Sequence, residues 1–327
     1  DLYIPEFYVW GIYGTGWAAG SERMNDLIEL VENTILTAMV IDIKDQDGYL
    51  SYYSSVPLAQ EIGANKRKIS NPRALLERLH SKDIYTIARI SVFKDDVLAR
   101  RRRDLALRIY DSENHKIIKD PCWLDPSKKE VWEYNIMLAR EAAALGFDEI
   151  QFDYVRYPAL GNGPLIALAP ELRPKSSYIN DFVKYSIEAL ADLDVPVSVD
   201  VFGLTTSVRG DMGIGQNFQE LCEIVDIISP MVYPSHYSEG VYGIPEPDRE
   251  PYQVVYRGLL DAQKKVNNKE NFIIRPWLQD FSLKSRYTKE DIQAQIKAAE
   301  SLGIKEWLLW NPGSRYTEEA VKSHHFR

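Results

Sequence analysis

The stretch Glu149-Ile150-Gln151-Phe152-Asp153-Tyr154-Val155 decides the fold. It alternates, with Gln151 and Asp153 on one parity and apolar residues on the other. That is the period of a β-strand, whose successive side chains point to opposite faces. Ahead of it a helical pattern over Ser127–Leu145 stops at Gly146, a residue suited to a helix C-terminus. Behind it come a helical pattern over Ser177–Leu193 and a second strand over Val195–Phe202. Strands separated by helices are the mark of a parallel sheet built from βα units.

Working outward, the same unit occurs eight times. The other strands are expected over Phe7–Tyr13, Ala38–Lys44, Tyr85–Phe93, Ile227–Tyr233, Phe272–Gln279 and Trp307–Asn311, and the central one runs on to Tyr157. Thr288 followed by Asp291 resembles a capping box for the last long helix. Asp125 is placed to cap the helix that begins just after it. A stretch from Lys94 to Pro126 is too long for a plain βα loop and marks a functional loop after the third strand. Its four consecutive arginines, Arg100–Arg103, read as a solvated helix face. Eight units in 327 residues fit a single (β/α)8 TIM barrel, one domain over residues 1–327. Gly14, Gly16 and Gly20 are wrongly spaced for a dinucleotide-binding G-x-G-x-x-G. No internal repeat, low-complexity tract or interdomain linker is visible.

Composition narrows the function. With 45% hydrophobic and 27% charged residues the chain can bury a core. A net charge of −9 argues against a nucleic-acid partner, because phosphate binding needs a basic footprint. Twenty tyrosines and seven tryptophans suit a carbohydrate-facing cleft, or core packing. No apolar run approaches the roughly 20 residues that span a bilayer. The sequence starts at Asp1 without a signal-peptide pattern. If a leader has been removed, an extracellular or bacterial cell-surface location is favoured. Cys122 and Cys222 form no disulfide framework and read as buried free thiols.

Six strands carry polar residues on one parity. They are Asp42 with Lys44, Arg89 with Ser91, Gln151 with Asp153, Ser198 with Asp200, Ser229 with Tyr233, and Arg275 with Trp277 and Gln279. Barrel interiors are normally filled by branched apolar side chains, and catalytic groups sit at the C-terminal ends of the strands. A pocket is expected there, holding Asp42, Asp153 and Asp200 with Arg89, Lys44, Tyr233 and Trp277 around them. Two carboxylates between aromatic walls are the equipment of glycoside hydrolysis. The histidines His80, His115, His236, His324 and His325 show no ligand pattern apart from the tail pair, and no P-loop or G-x-S-x-G elbow occurs. A hard-cation site built from the aspartates remains open. No cofactor is expected.

The stretch 149–158 resembles the fourth-strand motif of the bacterial "putative glycoside hydrolase domain" family, whose members are (β/α)8 barrels. Gly11-Ile-Tyr-Gly-Thr-Gly-Trp17, Val40-Ile-Asp-Ile-Lys-Asp45, Trp123-Leu-Asp-Pro126, Val131-Trp-Glu-Tyr-Asn135 and Gly146-Phe-Asp148 match the same pattern. So do Asp200-Val-Phe-Gly203, Ser229-Pro-Met-Val-Tyr-Pro234 and Arg275-Pro-Trp-Leu-Gln279. The resemblance implies a hydrolase acting on O-glycosidic bonds of a polysaccharide or cell-surface glycan. Asp153 matches the place of a catalytic carboxylate, commonly the nucleophile, in related barrels. Asp200 is the expected partner, although many such barrels carry Glu there.

The roles divide by neighbours. Arg89 lies on the Asp153 side and favours its ionised form, whereas Asp200 has no sequence-evident cation and is the better proton donor. Asp42, Lys44, Arg89, Gln151, Arg156, Tyr233, Trp277, Gln279 and Trp310 are the expected substrate contacts. Arg156 reaches the cleft only if the chain leaves the strand at Tyr154. Trp17, Trp277 and Trp310 read either as sugar platforms or as core. A non-catalytic carbohydrate-binding barrel and a metal-assisted hydrolase using the aspartates are the alternatives. The oligomeric state is not specified.

Overall fold

The computed structural model describes residues 7–118, 122–161, 163–168, 173–266 and 272–322. Eight parallel strands follow one another around a closed ring: β1 Trp10–Gly14, β2 Ala38–Lys44, β3 Tyr85–Ser91, β4 Glu149–Asp153, β5 Val197–Phe202, β6 Ile227–Met231, β7 and β8 Trp307–Trp310. β7 comes in two pieces, Ile273–Ile274 and Trp277–Gln279. Pro276 stands in the gap, where it can donate no ladder hydrogen bond. β8 pairs with β1, and β5 with β6, so no edge is left open.

Each crossover from one strand to the next passes through a helix. The longer ones are Arg23–Glu32, Pro72–His80, Lys129–Leu145, Lys175–Leu190, Pro251–Val266 and Lys289–Glu300. Parity does the sorting. Met39, Ile41 and Ile43 of β2 join the large apolar layer under the helices, while Ala38 and Val40 pack inside the ring with Ile87, Trp277 and Leu308. Among the described residues no helix is long and apolar enough to cross a membrane.

Local expectations fare unevenly. Gly146 ends its helix with φ 117°, and the Thr288 N–H donates to Asp291 at 2.8 Å as a capping box requires. Asp125 does not cap the helix. Its carboxylate accepts the Ser127 N–H and hydroxyl at 3.0 and 2.8 Å, which tightens the turn before a helix that starts at Lys129. The long stretch after β3 holds a helix, Asp96–Arg101, and two short strands, Arg108–Asp111 and Lys116–Ile117. Leu165–Leu168, from beyond β4, completes a three-stranded antiparallel sheet with them. The arginine run is tied down in part, with Arg102 bound to Asp104 and Glu130.

Lys44 is a correction. The register of β2 against β3 shifts between Asp42 and Lys44, so Asp42 pairs with Arg89 but Lys44 pairs with Ile90. One extra residue in a strand reverses the facing of the residues after it. Lys44 therefore leaves the barrel interior and lies fully buried in the helix layer. There it is ion-paired with Asp95 at 2.9 Å beneath the Tyr134 ring.

The N-terminal end of the barrel is closed by charge as well as by apolar packing. Arg275 donates to both Glu149 oxygens at 2.8 Å and to Glu306 at 2.7 Å. The Ser198 hydroxyl adds a 2.6 Å bond to Glu149. Breaking such a buried pair strands a charge and costs about 3–5 kcal/mol. Arg275→Met is expected to lower unfolding stability by about that much in urea titration. The double variant Arg275→Met/Glu149→Leu should recover part of the loss, because Glu149 is then no longer stranded. A single variant as stable as the wild type would show that the pair contributes nothing.

Candidate active site

β4 stops at Asp153 because the next residue, Tyr154, takes φ 52° in the left-handed region, which few residues other than glycine adopt. This has two effects. The Tyr154 N–H turns back to donate to Asp153 Oδ1 at 2.5 Å. Arg156, which a continued strand would direct at the helices, instead lines the cavity at the C-terminal mouth of the barrel. That cavity has a volume of about 460 Å³.

A chain of buried groups runs across its floor. The Tyr13 hydroxyl donates to Asp42 Oδ2 at 2.5 Å. Arg89 donates from Nη1 to Asp42 Oδ1 at 2.6 Å, and from both Nε (3.1 Å) and Nη2 to Asp153 Oδ2. Asp200 stands just outside this grip, its Oδ2 4.0 Å from Arg89 Nε. The arms of 3.1 and 4.0 Å from one nitrogen hold the two carboxylate oxygens within about 7.1 Å of each other. Asp200 Oδ1 accepts the Trp277 indole N–H at 2.8 Å, and Oδ2 has no hydrogen-bond partner among the described residues.

The electrostatics arise from that placement. Burial pushes the Asp200 carboxyl well above the usual carboxylate range. The negative charge of Asp153 pushes the same way, against Arg89 and the Trp277 hydrogen bond. Burial also raises Asp42, opposed by Arg89. The Tyr233 hydroxyl is raised by burial and then by Asp200. On the aromatic side, Trp310 stacks on Tyr13 with ring centroids 3.9 Å apart, and Trp277 meets Trp310 edge-on at 5.4 Å.

Seven of the expected residues meet in this one cavity: Asp153, Asp200, Arg89, Arg156, Tyr233, Trp277 and Trp310. Asp42 is brought to the site but lies behind Arg89, 3% exposed. Three others are displaced. Gln151 is buried a layer below, with its amide 3.5 Å from the Ser229 hydroxyl. Gln279 turns into the surrounding loops, accepting from Ser235 N at 3.1 Å and donating to the Phe281 carbonyl at 2.9 Å. Lys44 lies beyond the barrel wall, held by Asp95. Trp17 is 65% exposed, with Lys68 5.6 Å from its ring, and does not line the cavity.

Tyr13 and Gln216 are among the contributors that went unpredicted, as are the apolar wall residues Phe202, Leu204 and Met212. Tyr13 ends the first expected strand, and the parity argument applied there would have found it. Gln216 carries no such signal, since it comes from a loop. Its amide donates to the carbonyls of Val155 and Asp200 at 3.3 and 3.2 Å, and its oxygen accepts from Phe202 N at 3.0 Å. It thereby fixes the strand end that bears Asp200 against the turn after Asp153.

As for a cation site, Arg89 fills the space between Asp42 and Asp153. Among the described residues no three His, Cys, Asp or Glu side chains group to hold a metal ion. His324 and His325 lie outside the described residues.

The chain belongs to the family described as "Putative glycosyl hydrolase domain", which it matches over residues 11–316. No curated protein matches it. Among solved structures, a hypothetical protein from Ruminiclostridium thermocellum is 39% identical with a TM-score of 0.52, over 58% of this chain and 97% of that one. The glycoside hydrolase domain of PgaB (BpsB) from Bordetella bronchiseptica is 13% identical with a TM-score of 0.69, over 98% and 99% of the two chains. An α-galactosidase from Thermus thermophilus is 16% identical with a TM-score of 0.56, over 96% of this chain and 60% of that one. The last two likenesses are of fold: a closed eight-stranded parallel barrel.

The raised Asp200 carboxyl has a consequence for stability. The folded state holds this proton more tightly than the unfolded chain, whose Asp titrates near about 3.9. The associated stabilisation is full below that pH and is lost as pH rises through the folded-state value. Asp200→Asn is therefore expected to gain stability relative to the wild type as pH is raised from about 4. Urea unfolding at a series of pH values reads this directly. A pH-independent difference between the two proteins would mean that Asp200 ionises normally.

Proposed function

We propose that this domain hydrolyses O-glycosidic bonds of a polysaccharide or cell-surface glycan, using Asp153 and Asp200 as the working pair. The observation that carries the reading is their unequal treatment by one guanidinium. Arg89 grips Asp153 with two N–H groups and leaves Asp200 at 4.0 Å with a free oxygen. Two carboxylates whose environments push their proton affinities apart can serve as acid and base at one pH. Family membership supports a hydrolase, and the fold likeness to glycosidase barrels is consistent with it.

In this mechanism Asp200 is the acid. Its Oδ2, buried at the cavity floor and without a hydrogen-bond partner among the described residues, gives its proton to the glycosidic oxygen as the bond to the leaving sugar breaks. Asp153 meets the positive charge that develops at the sugar carbon, either attacking it or drawing a proton from water that does. The two oxygens lie no more than about 7.1 Å apart, a bound inside which the retaining spacing of about 5–5.5 Å falls. Trp277 keeps the acid oriented, and Trp310 supplies an aromatic wall. Asp42 and Tyr13 hold Arg89 from behind and act as positioning residues. The cation-site alternative has less support, since a guanidinium stands where a metal would bridge the aspartates.

The test is a glycan screen with the wild type, Asp153→Asn and Asp200→Asn. Asp153→Asn is expected to lose at least about 10²-fold in rate on every substrate. Asp200→Asn should lose a similar factor on ordinary glycosides and much less on aryl glycosides with good leaving groups, which need no proton. The alkaline limb of the pH–rate profile should disappear with it. Equal losses on both substrate types would place the acid elsewhere, with Asp42 the next candidate. A glycan that is bound and never cut by the wild type would instead indicate a carbohydrate-binding barrel.

A further inference from the structure

Arg156 is the second cation of the cavity, and its surroundings differ from those of Arg89. It is 8% exposed. Its guanidinium lies 4.3 Å from the Phe202 ring centroid, 4.8 Å from that of Trp123 and 5.1 Å from that of Tyr154. Its hydrogen bond runs from Nη1 to the Tyr157 carbonyl at 3.0 Å. Among the described residues no carboxylate comes within 4.0 Å of it, whereas Arg89 has three. Asp153 is close enough to favour the charge on Arg156, but its Oδ2 already takes two N–H groups from Arg89.

A buried guanidinium cannot relieve itself by losing a proton, because arginine stays charged in proteins. It carries five N–H donors, and an unpaired buried charge is costly. The aromatic rings contribute cation–π attraction, and among the described residues the Tyr157 carbonyl is the acceptor its donors reach. The neighbouring cavity wall is apolar, formed by Phe202, Leu204 and Met212. A substrate lying there therefore meets one strong polar group, a planar fork that matches the two oxygens of an oxyanion.

We infer that Arg156 selects a sugar bearing an oxyanion substituent, a hexuronate carboxylate or a sulfate ester, in a position beside the one cut at Asp153 and Asp200. The inference rests on the glycosidase reading for its substrate class and names which members of that class the site takes. Arg156 acts in binding and specificity, with the chemistry left to the carboxylate pair.

Calorimetry with matched saccharide pairs tests it. Oligogalacturonate is compared with its methyl ester, glucuronoxylan oligosaccharides with their carboxyl-reduced form, and carrageenan oligosaccharides with their desulfated form. The wild type is expected to bind the charged member of at least one pair about ten- to hundredfold more tightly, the range for a charge-assisted hydrogen bond in a desolvated site. The first two pairs report a carboxylate and the third a sulfate. In Arg156→Gln the preference should vanish while affinity for the neutral member holds, with circular dichroism checking that the variant is folded. Arg156→Lys, which keeps the charge and loses the fork, should retain part of it. The inference is overturned if no charged member is bound, if no pair shows a preference, or if the preference survives in Arg156→Gln. Cleavage is scored separately. A charged saccharide bound through Arg156 but never cut sinks the glycosidase reading alone, and a neutral one cut while its charged partner is refused sinks this inference alone.

Discussion

Everything at the mouth of this barrel depends on one buried guanidinium. Arg89 stands at the end of β3 among carboxylates from β2, β4 and β5, and it balances only part of their charge. Its N–H groups go to Asp42 and Asp153, and Asp200 is left 4.0 Å away. Burial first, and then the negative charge of Asp153, push the Asp200 carboxyl above the usual carboxylate range. The same contacts also tie three neighbouring strands together at the height where the substrate would sit.

The barrel interior holds a second arginine that sharpens the comparison. Arg275, at the opposite end, is matched by Glu149 and Glu306, and Ser198 takes up further bonding capacity of Glu149. Little is left over for a ligand there, and the group reads as a structural plug. At the mouth, by contrast, among the described residues Asp200 Oδ2 has no hydrogen-bond partner and Arg156 has no carboxylate within 4.0 Å. Arg89 and Arg275 came from the same sequence signal, a polar residue on the inward parity of a strand. Satisfaction of hydrogen bonds tells the two ends apart, and that is a property of three dimensions.

This is also where legibility in the sequence ends. Parity alone placed Arg89, Asp153, Asp200 and Trp277 correctly, because β3, β4, β5 and the second piece of β7 are regular up to those residues. It failed at Lys44, where a one-residue shift in register reversed the face, and no residue type announces such a bulge. It placed Gln151 and Gln279 on the expected strands but gave no depth, and one lies below the cavity while the other points into loops. The small antiparallel sheet stayed hidden because its strands are two to four residues long and its partners come from both sides of β4. Gln216 works from a loop, where no periodicity exists to read.

Tyr154 shows how the fold converts a local irregularity into a site. A left-handed non-glycine residue costs of order 1–3 kcal/mol and persists only when its surroundings hold it there. Here the restraints are visible. The Tyr154 N–H bonds to Asp153, its carbonyl accepts from Phe93 N at 3.2 Å, and its ring meets Trp123 at 5.9 Å. Gln216 pins the next residue through the Val155 carbonyl. That single departure from strand geometry fixes the rotamer of Asp153 and swings Arg156 from the helix side to the cavity. A straight strand would still have delivered the carboxylate pair, but without a second cation beside it. The turn at Tyr154 is therefore the feature that places a second guanidinium in the cavity beside the carboxylate pair.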